Sequence, residues 1–207
     1  MIRERALDFD LHALLAQAVA AQPVAGLEAR APAVCDEIYE FVMERLRAQY
    51  LEAGTAGVTA EILDAVFAMQ PRSPLDAAAR VTALVNFLKL PAAASLAAAN
   101  RRIANILKKS ATAAPVAIDA ALLQAPAEQA LHSALRQRRD VVGAELARGE
   151  YDRAFAELAQ LRPEVDAFFD GVLVNDPDAR LRDNRLALLG ELRALFTRIA
   201  DLSRLPG

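Results

Sequence analysis

The sequence predicts an all-α fold, an antiparallel helical bundle preceded by a smaller helical segment. Alanine, leucine, glutamate and arginine dominate its 207 residues, and these have the highest helix propensities. The 10 prolines and 8 glycines stand singly, as punctuation between helices and not as a flexible tract or a phosphate-cradling loop. No short segment rich in β-branched residues is bounded by turn signals, as a strand would require.

The elements follow in order. DLHALLAQAVAAQ places Leu11, Leu14, Leu15 and Val19 at helical spacing behind Asp8 and Asp10, either a suitable N-cap, and ends before Pro23. VCDEIYEFVMERLRAQYLEAG is expected to bury Ile38, Phe41, Val42, Leu46 and Tyr50 and to stop at Gly54. Its acids come early and its arginines late, as the helix dipole favours. Thr59 caps TAEILDAVFAMQ, with Ile62, Leu63, Val66 and Phe67 as the buried stripe, and Pro71 ends it. In SPLDAAARVTALVNFLKL, Ser73 is the N-cap, Pro74 the first helical residue and Asp76 the capping acid. Its stripe is Val81, Leu84, Val85 and Leu88, broken by Pro91.

The next helix contains LAAANRRIANILKKS and leads into an Ala/Pro tract, SATAAPVA. PAEQALHSALRQRRDVVGAELARGE then aligns Leu131, Leu135, Val142 and Leu146. Tyr151 to about Val174 is one helix, or two joined at Pro163, with Phe155, Leu158, Val165, Phe168 and Phe169 inward. A last helix runs through RLRDNRLALLGELRALFTRIADLSRL on Leu181, Leu188, Leu192, Leu195 and Ile199. Pro91 and the Ala/Pro tract are the natural joints. The predicted division is a helical segment over 1–90 and a bundle over 91–207.

Composition excludes several kinds of chemistry. One cysteine, Cys35, rules out a disulfide framework within the chain and fits a reducing compartment. Its place at the start of an amphipathic helix suits a small buried residue better than a nucleophile. His12 and His132 are isolated, and no phosphate loop, nucleophile elbow or dinucleotide fingerprint occurs. No catalytic residue, metal ligand or cofactor site is expected. No apolar run reaches the roughly 20 residues of a membrane span, and MIRERALDFD lacks the apolar core of a signal peptide, so no membrane partner is expected and the cytoplasm is the default.

A net charge of -3 argues against non-specific nucleic-acid binding, yet LAAANRRIANILKKS concentrates cations. At about 100° per residue from Arg101, Lys108 falls near 340°, Asn105 near 40°, Lys109 near 80° and Arg102 near 100°. Leu96, Ala99, Ile103, Ile106 and Leu107 fall opposite, between about 140° and 240°. The polar face carries no acid, whereas most exposed faces of this chain mix both signs. A cationic, acid-free face suits an anionic partner, although cations also offset a helix C-terminal dipole and cover apolar surface as ordinary exterior. In ALRQRRD, Arg138 lies near the line joining Leu135 and Val142 and is expected to be paired inside. Arg180, Arg182 and Arg185 are diluted by Asp176, Asp178 and Asp183 and read as a capped helix start.

The stretch DAFFDGVLVNDPDARLRDNRLALLGELRALFTRIADLSRL resembles the C-terminal end of the β subunit of bacterial tetrameric glycyl-tRNA synthetases, which carries a helical anticodon-binding domain of the type found in arginyl-tRNA synthetases (DALR-like). The resemblance extends through AAANRRIANILKKS, QPRSPLDAAAR and DEIYEFVMERLRAQY, in order, over essentially the whole chain but only the C-terminal part of the longer subunit. It implies that Met1 is an artificial start. The family's usual pattern before the last helix is a valine and methionine run, where this chain has VLVNDPD, a departure that bears on the shape of that loop.

The resemblance implies recognition of the anticodon stem-loop of tRNA(Gly), in support of glycylation by the α subunit of a tetramer of two α and two β subunits. ATP and Mg would serve the α subunit, with no cofactor in this region and no aminoacylation by it alone. The helices before Pro91 would join the bundle to the preceding domain and be partly exposed. Resemblance and charge together assign Arg101, Arg102, Lys108 and Lys109 to phosphates, Asn105 to a base edge, and Tyr151, as an exposed aromatic, to stacking. The alternatives are a helical scaffold for subunit or protein interaction without RNA binding, and a small-molecule-binding bundle with enzymatic activity, for which Arg138 is the one visible internal polar candidate.

Overall fold

In the computed structural model, which describes residues 9–24, 26–110 and 117–206, the Asp10 carboxylate accepts the Ala13 N–H at 2.8 Å and opens α1 (Leu11–Ala20). Asp8, Met1 and most of the Ala/Pro tract lie outside the described residues. Gly26, in the left-handed region at φ 78°, turns the chain into α2 (Leu27–Glu52). This helix begins seven residues before the expected Val34 and runs through Pro32. Proline has no N–H to give the carbonyl four residues back, but that residue, Glu28, is exposed to solvent near the helix end. Gly54, at φ 55°, stands just past the helix end as expected.

The buried face of α2 differs from the expected one. Cys35, Tyr39, Met43, Leu46 and Tyr50 face inward, while Ile38 and Phe41 are exposed, Phe41 at 66%. The stripe is rotated because Tyr39 has both an apolar body and a polar tip to satisfy. Its ring stacks on His12 with centroids 4.2 Å apart, and its hydroxyl donates to the Pro71 carbonyl at 2.8 Å.

Thr59 caps α3 (Ala60–Phe67), and Ser73 caps α4 (Pro74–Phe87) by accepting the Asp76 N–H at 3.0 Å. Asp76 reaches back to the Arg72 N–H at 2.9 Å. Pro91 marks a joint in the chain but no gap in packing. Leu63, Val66, Val81, Leu84 and Phe87 are at most 1% exposed and share one core with the later helices, while Leu14, Val24, Ile38, Phe41 and Leu51 of the same segment are exposed. Phe87 stacks on Phe155 at 4.6 Å. The Asp201 N–H donates to the Ala65 carbonyl at 2.8 Å.

The bundle continues with α5 (Ala93–Lys109), α6 (Pro126–Ala147), α7 (Tyr151–Ala159), α8 (Arg162–Gly171) and α9 (Ala179–Thr197). Tyr151 onward forms two helices, as one of the two expectations had it, with the break at Gln160 and Leu161 and Pro163 in the first turn of α8. The last helix stops at Thr197, short of the expected extent. Arg80 donates to the Arg198 and Ile199 carbonyls at 2.8 and 3.0 Å, and Asp201 caps a short 3-10 turn, Leu202–Arg204. A cross-helix donor thus satisfies carbonyls that another helical turn would have used. Among the described residues there is no strand, and no helix is long and apolar enough to cross a membrane.

Candidate nucleic-acid interface

Helix α5 packs as its periodicity requires. Leu96 and Ile103 are fully buried and Ala99 nearly so, with Ile106 and Leu107 half-buried at the edge. Asn100, which the apolar pattern passes over, is also buried and donates to the Leu96 carbonyl at 2.9 Å. Lys108 and Lys109 occupy the last turn, where cations offset the dipole. No acid among the described residues forms an ion pair with either lysine.

Opposite α5 stands the start of α9, held by a polar knot. Asp178 caps the helix at the Arg180 N–H (2.8 Å), and Asp176 accepts the Asp178 N–H at 2.9 Å. The buried Arg185 donates to the Leu173 carbonyl at 2.9 Å, to Asp176 at 2.6 Å and to the fully buried Glu128. The Asp178 N–H first, then the Arg185 guanidinium, hold the Asp176 carboxyl below the usual carboxylate range. These bonds fix the VLVNDPD loop, with Val172 and Val174 buried and Asn175 exposed between them and the cap.

Between the two elements lies a cleft of about 930 Å³. Arg101, Arg102, Asn105 and Lys109 line one wall; Asn175, Arg182 and Asp183 line the other, with Ala98, Ile106 and Leu186 supplying apolar surface. The described lining thus combines four cations and two amides with one acid, Asp183, whose carboxylate lies 3.8 Å from the neighbouring Arg182. Such a lining offers hydrogen-bond donors and positive potential to an anionic ligand that carries flat polar edges.

The expected site residues are divided by the structure. Four of them share the cleft, whereas Lys108 is exposed beside it. Arg101 is committed to the fold, donating to the Leu205 carbonyl at 2.6 Å, and Arg102 lies over the Phe169 ring, 4.4 Å from its centroid. Tyr151 requires a correction: it is 8% exposed, not an exposed aromatic. Its hydroxyl donates to the buried Asp76 and its ring lies under Arg80 at 4.8 Å. Burial first, then that hydrogen bond, pushes its phenol up to about 12.

Arg138 is paired as expected, with Glu157, though half-buried and not deep in the core. The cleft residues that sequence reasoning did not single out are Arg182 and Asp183, which charge dilution had assigned to a helix start, and Asn175, which stood only within the departing VLVNDPD loop. The usable signal was the spacing of Arg182, Asp183 and Leu186, one helix apart by three and four residues, which puts them on one face.

Comparison with known proteins identifies the family. The DALR anticodon binding domain matches residues 96–202, which include both walls of the cleft. The chain is 43% identical over 200 residues to the glycine–tRNA ligase β subunit of Ectopseudomonas mendocina, covering 97% of this chain and 28% of that protein. It is 42% identical over 205 residues to that of Photorhabdus laumondii, covering 99% and 29%, and 46% identical over 172 residues to that of Tolumonas auensis, covering 83% and 24%. It therefore spans less than a third of the length of these relatives. With more than half of its residues inside the matched domain and nearly all of them aligned to these subunits, the chain belongs to the DALR anticodon binding domain family and is related to the C-terminal region of glycine–tRNA ligase β subunits.

Proposed function

We propose that this region binds the anticodon stem-loop of tRNA(Gly) in the cleft between α5 and α9, and so positions the tRNA for ATP- and Mg-dependent glycylation by the α subunit of an α2β2 enzyme in the cytoplasm. The observation that carries the reading is a cation-rich cleft in an acidic chain, both of its walls within the family domain. Lys109 and Arg182 face phosphates from opposite walls, Lys108 extends the positive edge, and Asn105 offers an amide to a base edge. Phosphate contacts set register, and base contacts set sequence preference.

A titration of the 207-residue chain with the tRNA(Gly) anticodon stem-loop, and with a stem-loop of altered anticodon, tests this. Tighter binding of the cognate loop is expected; equal affinities would remove sequence reading. Charge reversal is best made at Lys108 and Lys109, since reversal at Arg101 would also break its bond to Leu205. The double reversal should lower the salt dependence by about 1 to 2 logarithmic units per decade. Retained affinity at low salt would sink the assignment. A second reading, a protein-interaction scaffold, is favoured by the exposed Ile38 and Phe41 on the outer face of α2; it predicts no stem-loop binding in the same titration.

A further inference from the structure

Recognition of an unstacked loop base needs a flat partner, and among the described residues the cleft lining contains no aromatic one. Tyr151, the expected platform, is consumed in the core by Asp76 and Arg80. The lining does contain Arg102, and the way it is held differs from that of an ordinary surface arginine. Its guanidinium carbon lies 4.4 Å from the Phe169 ring centroid, and Phe169 is half-buried and meets the fully buried Phe168 edge-on, with centroids 5.6 Å apart at 84°. Phe169 itself does not line the cleft. The sequence of contacts therefore runs from the core through two rings to a planar cation, and the cation is what the cleft presents.

The geometry points to Arg102 as a stacking shelf for one unstacked anticodon-loop base, pre-positioned by Phe169, rather than as a phosphate contact. The inference rests on the proposed RNA-binding function and assigns this residue a role within it. A guanidinium has two faces; with the Phe169 ring against one, the other would take a base, whose polar edge would then meet Asn105 and Asn175. Pre-positioning matters because a free arginine loses several rotamers on binding, whereas one already laid over a ring loses fewer. The charge would act on RNA at either kind of contact, but only stacking needs the plane.

Arg102→Lys separates the two roles, since it keeps the charge and removes the plane. The 207-residue chain and this variant are titrated with the intact tRNA(Gly) stem-loop and with stem-loops made abasic at one loop position at a time, each at two salt concentrations. The stacking role predicts that one abasic position costs the parent chain about tenfold in affinity. Arg102→Lys should lose a similar factor on the intact loop, lose nothing further at that position, and keep its salt slope. If Arg102→Lys binds the intact loop like the parent and still suffers every abasic penalty, the stacking role is wrong while the RNA-binding function stands. If the parent binds no stem-loop at all, the function fails and this role with it. Phe169→Leu provides a second reading: with helicity unchanged by circular dichroism, it should weaken the same position and no other, and uniform weakening across positions would count against the shelf.

Discussion

Removing the Tyr151 hydroxyl tests whether this residue belongs to the core or to the RNA. In the structure that hydroxyl donates to Asp76, a carboxylate 6% exposed that also receives the Arg72 N–H at 2.9 Å and the Arg80 Nε at 3.1 Å. Hydrogen bonds to charged groups contribute about 1.5 to 3 kcal/mol. Asp76 would keep two donors in Tyr151→Phe, which puts the loss near the lower end, about 2 kcal/mol. For a chain of this length each kcal/mol moves Tm by roughly 2 to 4 °C. Tyr151→Phe should therefore melt about 4 to 8 °C lower in a calorimetric or circular-dichroism scan, with stem-loop affinity unchanged well below the transition. An unchanged Tm would refute the buried bond. Unchanged Tm with weakened RNA binding would return Tyr151 to the interface.

Three further outcomes follow from the packing. Glu128→Ala leaves the buried Arg185 with only Asp176 and the Leu173 carbonyl, and should cost about 3 to 4 kcal/mol in urea unfolding, with Glu128→Gln costing less because its amide oxygen still accepts. On α2, Phe41→Ser should change stability by no more than about 0.5 kcal/mol while Met43→Ala loses about 2 to 3; the opposite ranking would mean that the helix is rotated. Tyr39 and Tyr151 both have phenols raised to about 12, chiefly by burial, against about 10 unfolded. Their neutral forms are favoured by the fold, so their contribution is complete below pH 10 and is lost as pH rises toward 12. The urea midpoint should fall between pH 10 and 12, and a Tyr39→Phe/Tyr151→Phe variant should flatten that fall.

What periodicity could read, it read from side chains with one chemical character. The aliphatic stripe of α5 and the Ser73 cap with Pro74 behind it needed no tertiary information, because a cap and a stripe are local properties. It failed where a side chain has two characters. Ile38 and Phe41 scored as core by hydrophobicity, and Tyr39 won the inward position because its hydroxyl could reach Pro71. The end of α9 was illegible for another reason: the donor that satisfies its terminal carbonyls, Arg80, lies 118 and 119 residues away in sequence. The same division runs through the site. One wall of the cleft is a single helix face and could be projected from sequence, while the other depends on Arg185, Glu128 and Asp176 meeting across two helices and a loop.

The cations of α5 do unequal work, and their partners account for the difference. A helix face that carried only free cations would bind any polyanion through counterion release, with little preference among sequences. Here Arg101 is drawn into the Leu205 carbonyl and Arg102 onto Phe169, while Lys108 and Lys109 pair with no acid among the described residues. The two lysines have no such partner among the described residues, whereas each arginine has one contact that favours a particular placement of its guanidinium. The one acid in the lining, Asp183, sits on the facing wall and sets a local limit to the positive potential. On the proposed function, the unpaired lysines at the end of the helix would attract RNA and the partnered arginines at its middle would select among loops. Neutralising Lys108 and Lys109 should therefore weaken cognate and altered stem-loops by similar factors, whereas Arg102→Lys should narrow the difference between them, and a reversal of those two patterns would show that Arg102 contributes only charge.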